Sequence, residues 1–193
     1  MRLFVALDIE PAIRERIARF LQGVREFAPD VRWVQAESLH LTLKFIGEQP
    51  DRKLDSIRKA LAEVASPATN LAFRGYGFFP TARSARVFWI GVEADERLAQ
   101  LAALVERALE PLGIEREGRA FSPHLTLARG RSAAPQRRPE DRGNRNFQRL
   151  QEKLGAMPSP EFGTMTAREF FLYQSKLSPA GSQYTQLQRF PLT

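Results

Sequence analysis

At an offset of 84 residues the chain matches itself: Ser38-Leu39-His40-Leu41-Thr42-Leu43 lies over Ser122-Pro123-His124-Leu125-Thr126-Leu127, identical at five positions of six. The same offset sets Arg2-Leu3-Phe4-Val5-Ala6 over Arg86-Val87-Phe88-Trp89-Ile90, two apolar runs of strand character that each lead into a helical pattern. In the first half Ile13, Ile17, Phe20, Leu21 and Val24 follow Pro11 at helical spacing, and Pro11 suits a first helical turn. In the second half Leu98, Leu101, Leu104, Val105, Ala108 and Leu109 repeat that pattern behind Asp95. Beyond each His-Leu-Thr-Leu segment come a further helix (Leu54, Ile57, Leu61 and Val64; Phe147, Leu150 and Leu154) and an aromatic strand, near Leu71 to Phe79 and near Thr166 to Gln174. The order β, α, β, α, β, used twice, predicts an α+β fold. It is bilobal and duplicated, with two pseudo-twofold-related lobes of antiparallel strands, helices on the outside and a central cleft. Residues 1–193 are expected to form a single bilobal domain, with a basic loop inserted at about 130–145 in the second half only.

The repeat also decides where chemistry can reside. The chain has two histidines and no cysteine, which excludes disulfides, thiol nucleophiles, iron-sulfur clusters and Cys-ligated zinc. A zinc site wants three or four ligands, and no third histidine exists. Both histidines stand at the same place in the repeat, so a cleft along the pseudo-twofold axis would bring them together. In a strand, His40 and Thr42 point to one side and Leu41 and Leu43 to the other, and His124 and Thr126 do likewise. Each lobe thus offers an imidazole and a hydroxyl, anchored behind by leucines. A neutral imidazole paired with an imidazolium can serve as base and acid in one turnover, and a threonine hydroxyl can donate to a phosphate oxygen. With an unperturbed pKa near 6.5, both protonation states are accessible near neutrality. The set suits phosphodiester cleavage without a metal. A lone histidine in a strand is more often structural, but two in one repeated tetrapeptide reverse that weighting. A serine hydrolase built on Ser38 or Ser122 is disfavoured, because no Gly-x-Ser-x-Gly elbow occurs.

The formal net charge is +7, and most of it is local. Residues 129–149 hold seven arginines against Glu140 and Asp141. The middle of that segment, 132–143, carries two prolines, a glycine and no apolar periodicity, and reads as an exposed loop. It is either a solvated charged loop or a contact surface for RNA phosphates. The apolar start at Met1 is too short for a signal peptide, and no stretch approaches the 18 residues or so that span a bilayer. The expectation is a soluble, cytoplasmic protein with no membrane partner.

These residues resemble the two-histidine (2H) phosphoesterase superfamily, marked by a His-x-Thr/Ser-x motif in each lobe of a duplicated α+β fold. Within it the chain is similar to the bacterial and archaeal RNA 2′,3′-cyclic phosphodiesterases, historically called 2′-5′ RNA ligases. The match runs through Arg2 to Ala6, His40-Leu41-Thr42-Leu43-Lys44-Phe45-Ile46-Gly47-Glu48, Phe121-Ser122-Pro123-His124-Leu125-Thr126-Leu127-Ala128-Arg129 and the ending Ser175 to Tyr184. The Arg/Pro insertion after Arg131 looks longer than the family minimum. The resemblance implies that His40 and His124 are the catalytic pair and that Thr42 and Thr126 hold the nonbridging phosphate oxygens. The implied reaction opens a 2′,3′-cyclic phosphate to a 2′-phosphate, with His124 as general base on water and His40 as general acid on the departing 3′ oxygen. No metal or cofactor is implied. RNA ends or nucleoside 2′,3′-cyclic phosphates are the implied partners, and slow 2′-5′ ligation is the reverse with a 5′-hydroxyl in place of water. The chain is expected to act as a monomer. A noncatalytic RNA- or nucleotide-binding module on the same fold is the alternative, and a dedicated ligase of halved tRNA would share the site.

Arg129 and its repeat equivalent Phe45 raise a question of parity. By strict alternation Arg129, five residues after His124, faces away from the cleft. A twist or a bulge where the strand leaves the motif would turn both residues toward it at the rim, where they could clamp a nucleobase by stacking or cation-π contact. The other readings make Arg129 a buried phosphate contact, or make Phe45 core and Arg129 solvated. Trp33, Tyr76, Phe78 and Phe79 are read as core or rim packing.

Overall fold

The computed structural model describes residues 1–130, 147–178 and 181–193. The basic segment read from the sequence as a loop therefore lies almost wholly outside the described residues. In chain order the elements are β1 (Arg2–Asp8), α1 (Pro11–Val24), β2 (Arg32–Trp33), β3 (His40–Glu48), α2 (Leu54–Ala62) and β4 (Thr69–Phe79). They continue with β5 (Val87–Ala94), α3 (Glu96–Leu109), β6 (His124–Arg129), α4 (Gln148–Gly155), β7 (Glu161–Ala167), β8 (Glu169–Ser178) and β9 (Gly181–Pro191). Among the described residues no helix is long and apolar enough to cross a membrane.

The helices form where the apolar spacing places them. In α1, Pro11 opens the first turn and Ile13, Ile17, Leu21 and Val24 are buried, one stripe at intervals of three and four. In α3, Asp95 caps the start, its carboxylate accepting from the Arg97 N–H at 3.0 Å, and Leu98, Leu101, Ala102, Val105 and Leu109 are buried. In α2, Ile57 and Leu61 are buried, and Val64 lies past its end. Leu150 and Leu154 do the same for α4. With Leu3, Val5 and Leu7 of β1 and Phe88, Ile90 and Val92 of β5 they join one hydrophobic cluster.

The strands make two antiparallel sheets, ordered β3-β1-β8-β9 and β2-β6-β5-β4-β7. Two α+β lobes built on one plan were expected, and the two sheets supply them, but neither lobe is a contiguous half of the chain. The last strand of the first half, β4, pairs with β5 and β7 in the second sheet, while β8 and β9 return to the first. The halves have exchanged their closing strands.

Two sequence expectations change accordingly. The strand placed near Thr166 to Gln174 is two strands with Arg168 between them, because the chain leaves one sheet at Ala167 and enters the other at Glu169. The opening strands also superpose one residue away from the motif offset: Asp8 pairs with His40, and Gly91, not Val92, pairs with His124. Phe4 over Phe88 was thus a false match. Phe88 faces the core with Ile90, whereas Phe4 packs on the opposite face, its ring 4.7 Å from that of His40.

Candidate active site

β3 and β6 approach within 8 Å, Cα to Cα, so the two motif strands are neighbours across the two sheets. Both carry a β-bulge at the same point of the repeat. Val5 pairs with Lys44 and Ala6 with Thr42, which leaves Leu43 extra, and Phe88 pairs with Ala128 and Trp89 with Thr126, which leaves Leu127 extra. The bulge resets the alternation. Leu43 with Lys44, and Leu127 with Ala128, are consecutive buried residues, and the next side chains, Phe45 and Arg129, turn out to solvent. Phe45 is 57% exposed, so it is not a core residue, and both residues share the face of the histidines and threonines.

Each imidazole is held in one orientation. His40 Nδ1 lies 2.8 Å from the Ser38 carbonyl oxygen, and His124 Nδ1 lies 2.7 Å from that of Ser122. A carbonyl only accepts, so each Nδ1 carries the hydrogen and the neutral ring keeps an unprotonated Nε2. A short 3₁₀ turn, Ala36–Ser38, brings the Ser38 carbonyl into place. Arg14 steadies that turn by donating to the Glu37 carbonyl at 2.6 Å and to the Ile9 carbonyl at 3.1 Å.

Aromatic rings stand edge-on to both imidazoles. The ring of Tyr184 lies 4.9 Å from His40 at 84°, and that of Phe79 lies 4.9 Å from His124 at 83°. Phe4 and Tyr173 stack at 5.2 Å beside His40, and Trp89 stands 6.1 Å from His124. Of the four aromatics read as packing, Trp33, Tyr76 and Phe78 lie against the core cluster, and Phe79 forms part of the wall at His124. A pocket of about 190 Å³ opens at His40, lined by Asp8, Arg14, Glu37, Ser38, Leu39, Tyr173 and Tyr184.

Burial pushes both imidazoles below the ordinary histidine value of 6.5. The Ser38 and Ser122 carbonyls oppose that shift, whereas Arg129 adds to it at both rings, so its charge is felt by both halves of the site. At His40, Asp8 also raises the value and Arg14 lowers it. Both imidazoles are therefore biased toward the neutral form more than unperturbed values would make them. Among the described residues no three His, Cys, Asp or Glu side chains gather where a metal ion would sit.

The site residues foreseen from the sequence, His40, Thr42, Phe45, His124, Thr126 and Arg129, all fall on the facing strands. Sequence reading did not find Asp8, Arg14, Tyr173 or Tyr184. Asp8 stands just past an apolar run, and strand pairing reveals its place. The tyrosines come from strands that join this sheet only through the exchange.

The family model of the 2′-5′ RNA ligase superfamily matches residues 9–162. The RNA 2′,3′-cyclic phosphodiesterase of Archaeoglobus fulgidus is 36% identical over 98% of this chain and 99% of its own. That of Methanothermobacter thermautotrophicus is 31% identical over 100% of this chain and 99% of its own. Among solved structures, Escherichia coli LigT complexed with 3′-AMP superposes with a TM-score of 0.77 at 29% identity, covering 100% of this chain and 98% of that one.

Proposed function

The chain belongs to the 2′-5′ RNA ligase superfamily, and from that premise we propose that it opens RNA 2′,3′-cyclic phosphate ends to 2′-phosphates by metal-independent acid-base catalysis. Residues 1–193 act as one catalytic unit, a monomer of the cytoplasm. The observation that carries the reading is the matched pair of imidazoles. Each is locked through Nδ1 to a carbonyl two residues upstream, and each shares its strand face with a threonine.

The water's proton passes to Nε2 of His124 as its oxygen attacks phosphorus. The bond from phosphorus to the 3′ oxygen breaks, and His40, as the imidazolium, donates its Nε2 proton to that oxygen. His124 ends protonated and His40 neutral, and exchange with solvent resets the pair. The Thr42 and Thr126 hydroxyls donate to the nonbridging oxygens, a fixed donor set for the charge that builds in the transition state. Phe45 and Arg129, on the same face, hold the terminal base by stacking. LigT, similar over its whole length, is complexed with 3′-AMP, a nucleotide phosphorylated at one of the two oxygens concerned.

The test is turnover of a nucleoside 2′,3′-cyclic phosphate. His40→Ala and His124→Ala are each expected to lower the rate by about 10² to 10⁴-fold with the fold intact by circular dichroism. The wild-type rate is expected to persist in excess EDTA. Full activity in either variant would overturn the reading, and tight nucleotide binding without turnover in the wild type would favour the noncatalytic alternative. The regiochemistry of the product, 2′ or 3′ phosphate, checks which bond breaks.

A further inference from the structure

The two halves of the site differ in one respect that the repeat conceals. Directly across the strand pair from His40 stands Asp8, whereas the residue across from His124 is Gly91. Gly91 is not free to become an aspartate: a Cβ there would lie 2.6 Å from the Arg74 carbonyl oxygen, a backbone atom that cannot step aside. The second half is thus barred by its own packing from carrying a carboxylate at this place. In the first half the carboxylate is fixed. The Tyr173 hydroxyl donates to Asp8 Oδ1, the Tyr173 ring is stacked on Phe4, and Asp8, His40 and Tyr173 line one small pocket.

We propose that Asp8, held by Tyr173, is a positioning residue that makes His40 the proton-carrying member of the pair and so gives a nearly symmetric site a direction. A carboxylate beside an imidazole favours the charged ring, which is the form a general acid needs at the start of a turnover. His124 has no such neighbour and starts as the base. The charged and titratable groups around His40 are Asp8 on β1, Arg14 on α1, Glu37 in the 3₁₀ turn, Tyr173 on β8, Tyr184 on β9 and, from the facing strand, Arg129. Arg14 and Arg129 oppose Asp8. Arg14 is engaged with the Glu37 and Ile9 carbonyls, which leaves Asp8 as the carboxylate on the strand next to His40. The inference rests on the two-histidine reading above, and its test reads proton affinity without turnover.

With two histidines in the chain, the ring Cε1–H signals in a proton spectrum are two, assigned by a His124→Gln variant. Asp8→Asn keeps the shape and still accepts from Tyr173, so the fold is expected to hold. It should lower the His40 titration midpoint by about half a unit to one unit and leave that of His124 in place. Asp8→Glu, which keeps the charge, should return the His40 midpoint toward the wild-type value. If Asp8→Asn does not fold, Asp8→Ala removes the charge with a smaller side chain and is read the same way. In the pH profile of kcat/KM, the basic limb should move down in Asp8→Asn while the acidic limb stays. An unchanged His40 midpoint, or equal movement of both signals, overturns the role given to Asp8. Either result leaves the acid-base reading to be judged by its alanine variants.

Discussion

His40 and His124 each lose solvent to their surroundings and gain one carbonyl partner. Because burial lowers both values, the unfolded chain holds these protons more tightly than the folded one, and linkage then makes stability rise with pH. Their contribution is whole above the unfolded value of about 6.5 and is lost as pH falls through the lower folded values. The wild type is therefore expected to lose Tm between pH 7.5 and pH 5, and a His40→Asn/His124→Asn double variant to lose less, measured by calorimetry across that range. At this scale the sequence was most informative. A rare residue type placed twice in one tetrapeptide pointed to the groups proposed to react, because side-chain chemistry belongs to residue identity. What it withheld were the groups that tune them. Nothing in the letters around Asp8 says that it stands across from His40, since that is a fact of strand pairing. Nor can a sequence show that the Ser38 and Ser122 carbonyls matter, as every residue owns a carbonyl.

The decisive local device is the bulge in β3 and β6, which sets two buried residues side by side and turns Phe45 and Arg129 to the exposed face shared with the histidines and threonines. Alternation alone, the rule by which strands are read, predicts the wrong side for both. The sequence does carry the signal, in the consecutive pair Leu43-Lys44, but a lysine there argues for solvent. The structure resolves this by burying Lys44 at 5% exposure, its Nζ donating to the Glu115 carbonyl at 2.5 Å and lying 2.8 Å from Glu106 Oε2. The lysine ties the motif strand of one sheet to α3 and the loop behind it. Its counterpart, Ala128, needs no such partner. Lys44→Met is expected to destabilise the protein by about 3 kcal/mol, because it leaves the Glu106 carboxylate without its cation, and Lys44→Met/Glu106→Leu to recover most of that loss. Urea denaturation of the two variants and of Glu106→Leu closes the cycle. A double variant no better than Lys44→Met would show that the lysine acts through the Glu115 carbonyl instead.

Across the whole molecule, the duplicated plan was legible because apolar periodicity repeats with the motif, but the partnership of the sheets was not. Strand order depends on which edges meet, and Leu71 to Phe79 reads as the same aromatic strand whichever sheet receives it. The charge distribution belongs to this scale as well. Seven arginines in residues 129–149 place most of the net charge beside the second motif. Deleting 132–143, which removes Arg137, Arg138 and Arg142, is expected to weaken binding of an oligonucleotide and flatten its salt dependence while leaving turnover of a mononucleotide within about twofold. Fluorescence titration at two or three salt concentrations measures the first, and the cyclic-phosphate assay the second. An unchanged salt slope would mark the segment as a solvated loop. The exchanged strands bear on how the protein is made. Tyr173 and Tyr184, which wall in His40, are separated from it by well over a hundred residues of chain, so β1 must wait for all of that chain to be made before β8 arrives. The ribosome delivers the first histidine well before the tyrosines beside it, and a chain stopped short after the second motif would hold both histidines with only one finished wall.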